Sequence, residues 1–252
     1  MRQIALTLPE LQNPSSAEEL ERLKKRKMHQ LVKESWALQE LNHIDHVLKY
    51  VDREWTPQNL NIITEYAAGG DLERRFKNLP LGPDGKQLCY SEDRLIPMFR
   101  ILCKTMAKVH AEGWIHRDLK PSNILFRDNS YEKLVIGDFG FASMFKEGRS
   151  DLTTEDVGSP RFKAPEQIRG EAHSYPVDMW GLGVTCYYLL KRRHPIHDLD
   201  FEREENITPE EVARIDWENL SSNARDFMEK LIVWDPKQRM SALEASNHPW
   251  LL

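Results

Sequence analysis

At 252 residues, the chain is about the size at which a single core stops growing, so one domain in two lobes and two separate domains are both open. Its net charge of −5, with both signs spread along the sequence, argues against a nucleic-acid surface as the main business, because phosphate backbones reward clustered positive charge. Cys89, Cys103 and Cys186 stand far apart among apolar or aromatic neighbours, without metal-ligand spacing, which reads as buried thiols in a reducing compartment.

The N-terminus carries no apolar signal segment. Ile4 to Leu8 form a short apolar, β-branched run stopped by Pro9, as in a strand. Turn chemistry follows, with Ser15 or Ser16 placed to cap a helix whose first turn holds Glu18 and Glu19. Leu31, Leu38 and Leu41 give that helix one apolar face. Lys24, Lys25, Arg26 and Lys27 crowd its early part, either as a solvated face or as a nuclear address. The segment around Val47 to Val51 and the run Leu60 to Tyr66 read as two strands joined by a turn containing Pro57. Gly69 and Gly70 then break the second strand and let the chain pass to a new lobe.

From Lys77 to Gln87 proline and glycine mark a surface loop. A helix ending at His110 follows, with Phe99, Leu102, Met106 and Val109 at helical spacing and Ser91 as its cap. Pro97 interrupts it, so it should start near Leu95 or bend there. Further on, Lys146 to Val157 is polar and aperiodic, the pattern of a mobile loop. Val177 to Leu190 reads as a buried helix, since Trp180, Val184, Tyr187 and Tyr188 leave almost no polar face. The apolar-rich run within it is too short to span a bilayer, and no membrane insertion is expected. Ser241 with Glu244 three residues later forms a capping box before NHPWLL.

Between the helix ending at His110 and the polar segment from Lys146 lies the stretch His116 to Gly140, HRDLKPSNILFRDNSYEKLVIGDFG. An aspartate able to accept a hydroxyl proton, Asp118, is followed by Lys120, by Asn123 and, beyond a hairpin, by Asp138. That set suits phosphoryl transfer to a hydroxyl: a base for the nucleophile, a cation near the transferred group and two oxygen ligands for Mg²⁺.

These residues resemble the eukaryotic protein kinases. Lys120 in HRDLKPSN is similar to the serine/threonine pattern, and DFG at Asp138 follows an expected strand at Leu134 to Ile136. Ala164, Pro165 and Glu166 match the APE segment, Arg239 in WDPKQRM matches the arginine that pairs with its glutamate, and Asp178 and Trp180 match the helix that anchors the catalytic loop. The closing HPWL is similar to the calmodulin-dependent-kinase-like group. The resemblance implies ATP and Mg²⁺ as cofactors, Asp118, Lys120 and Asn123 as catalytic residues, and Asn123 with Asp138 as metal ligands. It implies Thr64 as gatekeeper and Glu65, Tyr66 and Ala67 as the hinge facing the adenine, closed by Leu125 and Ala5 from below and above. Asp71 would reach the ribose or a basic substrate side chain. Ser122, where basophilic kinases often carry glutamate, points away from a strongly basic substrate.

Arg117 beside the catalytic aspartate implies a loop ordered by an acidic group. Ser150, Thr153, Thr154 and Ser159 are hydroxyls in that loop, and Glu155 stands where many relatives are phosphorylated. Glu155 either replaces a phosphate, with Thr153 or Thr154 as the alternative switch set by an upstream activating kinase, or is a solvated charge.

The pattern fails at the front. No GxGxxG precedes Ile4, and Ile4, Ala5, Leu6 and Thr7 stand where the family carries VAIK, so Thr7 replaces the phosphate-anchoring lysine. Glu34 then lacks its ion-pair partner. The expectation is one α+β, protein-kinase-like bilobal domain over 1–252. Residues 1–68 would hold a truncated N-lobe antiparallel sheet, one helix and the hinge, and 69–252 a mainly helical C-lobe. It would be an intracellular, cytoplasmic protein, with a nuclear location left open, that phosphorylates serine and threonine of protein substrates. The alternative is an impaired pseudokinase acting as a binding scaffold.

Overall fold

A computed structural model describes residues 3–4, 16–55, 60–145, 153–196 and 207–252. Helix α1, Ala17–Glu40, starts where Ser16 accepts the Glu19 N–H at 3.1 Å. This contact satisfies one of the helix's orphan donors; Ser15 lies outside the described residues. Leu31, Leu38 and Leu41 are buried against β2 (Tyr50–Trp55) and β3 (Leu60–Thr64). Lys24, Lys25 and Arg26 are exposed and Lys27 is half-buried, so the basic run faces solvent, as both readings of it require.

The sheet has the order β1-β3-β2, with Gln3–Ile4 of β1 antiparallel to Ile62 and Ile63. The remainder of the strand expected at Ile4 to Leu8 lies outside the described residues. The second expected strand is displaced from Val47–Val51 to Tyr50–Trp55. Val47 is instead drawn against the later hairpin: it bridges Ile136 in parallel, and the Leu48 N–H donates to Ile136 O at 2.9 Å. A buried position under that hairpin outweighs continuation of the edge strand, whose own outer residues Val51 and Trp55 face solvent.

After β3 the chain lies along the hairpin as a further strand would, the Ala68 and Gly69 amides donating to Arg127 O and Phe126 O. Gly70, at φ 71°, turns it into a short helix α2, Leu72–Lys77, capped by Asp71 through the Arg74 N–H at 2.7 Å. Helix α3, Glu92–Ala111, begins before Leu95 and runs through Pro97. In the second turn, proline forfeits one helical N–H bond that the rest of the helix outweighs, while Glu92 and Asp93 favour the N-terminal dipole. Ser91 holds the cap position, but its side chain makes no capping bond.

Two small antiparallel pairs flank the catalytic loop. They are β4 (Trp114–Ile115) with β7 (Ser143–Met144), and the hairpin β5 (Ile124–Phe126) with β6 (Leu134–Ile136). The short α4, Pro165–Ile168, leads to helix α5, Pro176–Lys191, which is buried along nearly its whole length, as its sequence requires. After α6, Pro209–Ala213, and α7, Ser222–Leu231, the capping box of Ser241 and Glu244 opens α8, Ala242–Ser246. Cys103 and Cys186 are buried, but Cys89 is exposed because it precedes α3 in an irregular segment. Among the described residues no helix is long and apolar enough to cross a membrane.

Candidate active site

The catalytic loop leaves β4 in a backbone that needs outside support, since Arg117 sits at φ 67°. Asp178 of α5 supplies it, accepting the amides of His116 at 2.9 Å and Arg117 at 2.7 Å, with His110 Nε2 at 2.9 Å. Burial works to raise the Asp178 pKa, but His110 and these donors outweigh it and hold the carboxyl below its usual range. Gly181 lets α5 approach closely, because a Cβ there would meet Leu119 O at 2.9 Å. His116 Nε2 lies 2.9 Å from Gly137 O and the ring packs edge-on to Phe139, so one side chain joins the HRD and DFG stretches.

Asp118 is buried and fully engaged. Its Oδ2 accepts from Lys120 Nζ at 2.7 Å and Asn123 Nδ2 at 3.1 Å, and its Oδ1 from the Ser159 N–H at 2.7 Å. Lys120 also donates to Ser159 Oγ. Gly158, at φ 103°, permits this junction, since a Cβ there would lie 2.7 Å from Arg117 O. Asn123 spends its amide nitrogen on Asp118, including Asp118 O at 2.8 Å, which leaves its oxygen for a cation. The Gly137 N–H bonds Asn123 O at 2.9 Å, bringing the residue before Asp138 alongside. Asp138 is exposed at φ 57°. Among the described residues no three His, Cys, Asp or Glu side chains form a metal cage. One carboxylate and one amide oxygen nonetheless fit Mg²⁺, which keeps waters and takes phosphate oxygens as ligands.

Arg117 is saturated: Nε donates to Phe141 O at 2.6 Å, Nη1 to Thr153 Oγ1 at 2.7 Å and Nη2 to Glu155 Oε2 at 2.8 Å. Lys33 of α1 reaches both Glu155 oxygens at 3.2 Å. Burial pushes the Glu155 pKa upward, yet Arg117 and Lys33 overcome it and bring it down to about 2. Thr153 is further tied by an antiparallel bridge to His173, while Thr154 is exposed. Thr153 and Glu155 are therefore held at the far end of the segment expected as a mobile loop, because buried guanidinium donors demand acceptors; its residues 146–152 lie outside the described residues. Ser150 lies outside the described residues. Lys33 was missed in the sequence, where nothing marks a lysine on an amphipathic helix as the partner of a residue 122 positions away. Farther along, Glu166 pairs bidentately with Arg239 at 2.7 and 3.1 Å, both fully buried, with the guanidinium 5.2 Å from the Trp180 ring.

On the nucleotide side Thr64 is buried and Tyr66 exposed. The Glu65 N–H is taken by Lys49 O and its carboxylate by Arg127, whereas among the described residues the Ala67 amide has no partner. Leu125 is half-buried on β5 beside Gly137, and Asp71 sits opposite it in an antiparallel bridge. Ala5 and Thr7 lie outside the described residues. Glu34 stands near Asp138, and burial first, then that carboxylate, push its pKa up to about 8 against the weaker pull of Lys27.

A measurable pH effect follows from Glu34. Below about pH 4.5 folded and unfolded chains both hold its proton; above that only the folded chain does, so stability falls as pH rises towards 8. Glu34→Gln removes this dependence. Melting temperatures in a chelator from about pH 5 to about pH 9 should show the variant gaining several degrees on the parent at the alkaline end. A constant difference across that range would contradict the assignment.

A loop of this shape, anchored by a buried aspartate and closed by a glutamate–arginine pair, is the catalytic core of a protein kinase. Residues 17–251 match the protein kinase domain family, and the chain belongs to it. It is 34% identical over 220 residues to calcium/calmodulin-dependent protein kinase cmkB of Emericella nidulans, covering 82% of this chain and 50% of that protein. It is likewise 34% identical over 210 residues to calcium/calmodulin-dependent protein kinase type I of Schizosaccharomyces pombe, covering 82% and 60%. With calcium/calmodulin-dependent protein kinase type IV of Homo sapiens it shares 31% over 214 residues, covering 82% and 42%. The chain thus spans about half the length of these curated relatives, and its fold is the α+β protein-kinase fold expected from the sequence.

Proposed function

We propose that the domain transfers the γ-phosphoryl group of ATP to serine or threonine hydroxyls of protein substrates. The observation that carries this reading is the Asp118 carboxylate, buried, clasped by Lys120, Asn123 and the Ser159 amide, and set beside Asn123 and Asp138. Asp118 orients the acceptor hydroxyl and takes its proton, Lys120 offsets charge developing on the transferred group, and Ser159 places the activation segment against both. Asn123 Oδ1 and Asp138 would hold Mg²⁺, which supplies charge neutralisation on the phosphates when bound. Residues 65–67 form the hinge over the adenine, with Thr64 as gatekeeper before it, dividing an N-lobe up to residue 68 from a C-lobe after it. An intracellular site, cytoplasmic or nuclear, agrees with the buried Cys103 and Cys186 thiols. Nothing in the geometry of the described residues or in the named relatives favours a binding scaffold.

Thermal denaturation with and without Mg-ATP tests the reading. At a nucleotide concentration about 100 times its Kd the domain should gain about 2.7 kcal/mol, several degrees in melting temperature. Label from γ-labelled ATP should also appear on serine or threonine of a protein substrate. No shift and no transfer would sink it.

Glu155 serves as the loop's built-in acid in place of a phosphate, a role supported by its bonds to Arg117 and Lys33. Glu155→Gln keeps the shape but halves the pairing, and should lower activity about tenfold and speed proteolysis between α1 and the APE segment. Unchanged activity and protease resistance would return Glu155 to the solvated reading and leave Thr153 or Thr154, with an upstream kinase, as the switch.

A further inference from the structure

The hinge is held from behind by side chains that no motif marks. Glu65, directly after Thr64, receives Arg127 Nε at 2.7 Å and Nη2 at 2.9 Å, a bidentate pair half-buried on both sides. Its Oε1 also accepts the Lys49 N–H at 2.9 Å, while its own N–H donates to Lys49 O at 2.9 Å. Lys49 in turn gives its ammonium to Asn42 O at 2.7 Å and Ile44 O at 2.9 Å, at the end of α1. Burial works to raise the Glu65 pKa, yet Arg127 and the Lys49 amide outweigh it, so the group is a carboxylate at neutral pH. Three pieces of chain meet on this side chain: the hinge, the segment at Lys49 just before β2, and the hairpin flanked by Asn123 and Asp138; the turn after α1 joins them through the Lys49 ammonium.

Arg127 follows β5 directly, two residues beyond Leu125. Alternation along an extended chain places those two side chains on the same face and turns Phe126, which is buried, to the other. The Glu65 pair therefore grips the same face of the hairpin that presents Leu125 below the purine, while the Ala68 and Gly69 amides fasten the hinge backbone to Arg127 O and Phe126 O. The guanidinium fork fixes distance and angle together, which a single backbone contact does not.

The geometry points to Glu65 and Arg127 as a positioning pair that sets the gap between the hinge and the Leu125 floor, and with it the affinity for the purine part of the nucleotide. This inference rests on the ATP reading above. It assigns the pair no contact with the transferred phosphoryl group, so it separates purine binding from turnover.

The test uses Glu65→Gln and Arg127→Gln, with Arg127→Lys as the conservative variant, and two probes: adenosine for the purine pocket and Mg-tripolyphosphate for the phosphate side. Loss of the charged bidentate contact should weaken adenosine and Mg-ATP about tenfold in each glutamine variant, raise KM for ATP equally and leave kcat within about twofold. Tripolyphosphate affinity should not change, and Arg127→Lys should recover part of the loss. A fall in adenosine and tripolyphosphate affinity together, or in kcat with KM constant, would mean general loosening and overturn the assignment. Unchanged adenosine binding in both glutamine variants, with the parent binding normally, would overturn it while sparing the ATP reading. A parent protein that binds neither adenosine nor Mg-ATP would remove both.

Discussion

Asp118→Asn should lower phosphoryl transfer about a thousandfold while the domain still folds and still binds Mg-ATP. The carboxylate accepts from three donors, Lys120 Nζ, Asn123 Nδ2 and the Ser159 N–H. Asparagine has the same outline but only one acceptor oxygen, and its amide nitrogen must face one of those donors. With the nitrogen in the place of Oδ1 the Ser159 bond is lost, and in the place of Oδ2 those from Lys120 and Asn123, a local cost of about 1–3 kcal/mol per unpaired group that the remaining core can absorb. The chemical cost is larger, because an amide takes no proton from a hydroxyl. Nucleotide affinity should hold within about twofold, since Asp118 bonds the catalytic loop and activation segment rather than the hinge. Lys120→Ala combined with Asp118→Asn should lose far less than the product of the single losses, because the two groups act as a unit. The measurement is single-turnover transfer beside a Mg-ATP melting shift. A variant that keeps more than about a tenth of parental turnover would remove Asp118 from the base role.

The second large effect is on stability. Arg239→Leu leaves the Glu166 carboxylate buried without its bidentate partner and also strips donors from Pro176 O and Val233 O. Breaking such a pair from one side costs about 3–5 kcal/mol, because the surviving charge has neither water nor a partner, so the melting temperature should fall about 10 °C. Adding Glu166→Leu should return a substantial part of that loss by removing the stranded charge, although the two carbonyls stay unpaired. By contrast Lys230→Ala, which breaks an exposed pair with Asp226 at 2.7 Å, should be almost silent. If Arg239→Leu melted within about 2 °C of the parent, the pair would be a marker of the fold rather than a support for it.

How legible these features were depended on their range. The caps at Ser16 and Ser241, the buried course of α5 and the β5–β6 hairpin follow from neighbours within a few residues, where capping chemistry and periodicity act. The proposed catalytic set could be named because Asp118, Lys120 and Asn123 lie within one loop and Asp138 just across a hairpin. The displacement of the strand from Val47 was not, because Ile136, which holds Val47, lies far along the chain. For the same reason Thr153 and Glu155 read as part of a mobile loop: their polarity is local, but the buried Arg117 that holds them is remote. Pro97 does not mark the start of α3, which lies earlier, at Glu92.

The amino-acid sequence by itself determined the helices, the hairpin and which groups are available for base, cation and metal binding, because those depend on residue type and short spacing. Only the tertiary structure decided how those groups are held. Asp178 beneath the catalytic loop, Lys33 and Arg117 on Glu155, and Arg127 on Glu65 are pairings between distant segments. Burial makes the contacts of Asp178 and Arg117 obligatory, because a charge taken out of water must find a partner, and the chain has to be folded before it is clear which partner lies within reach of any of these groups.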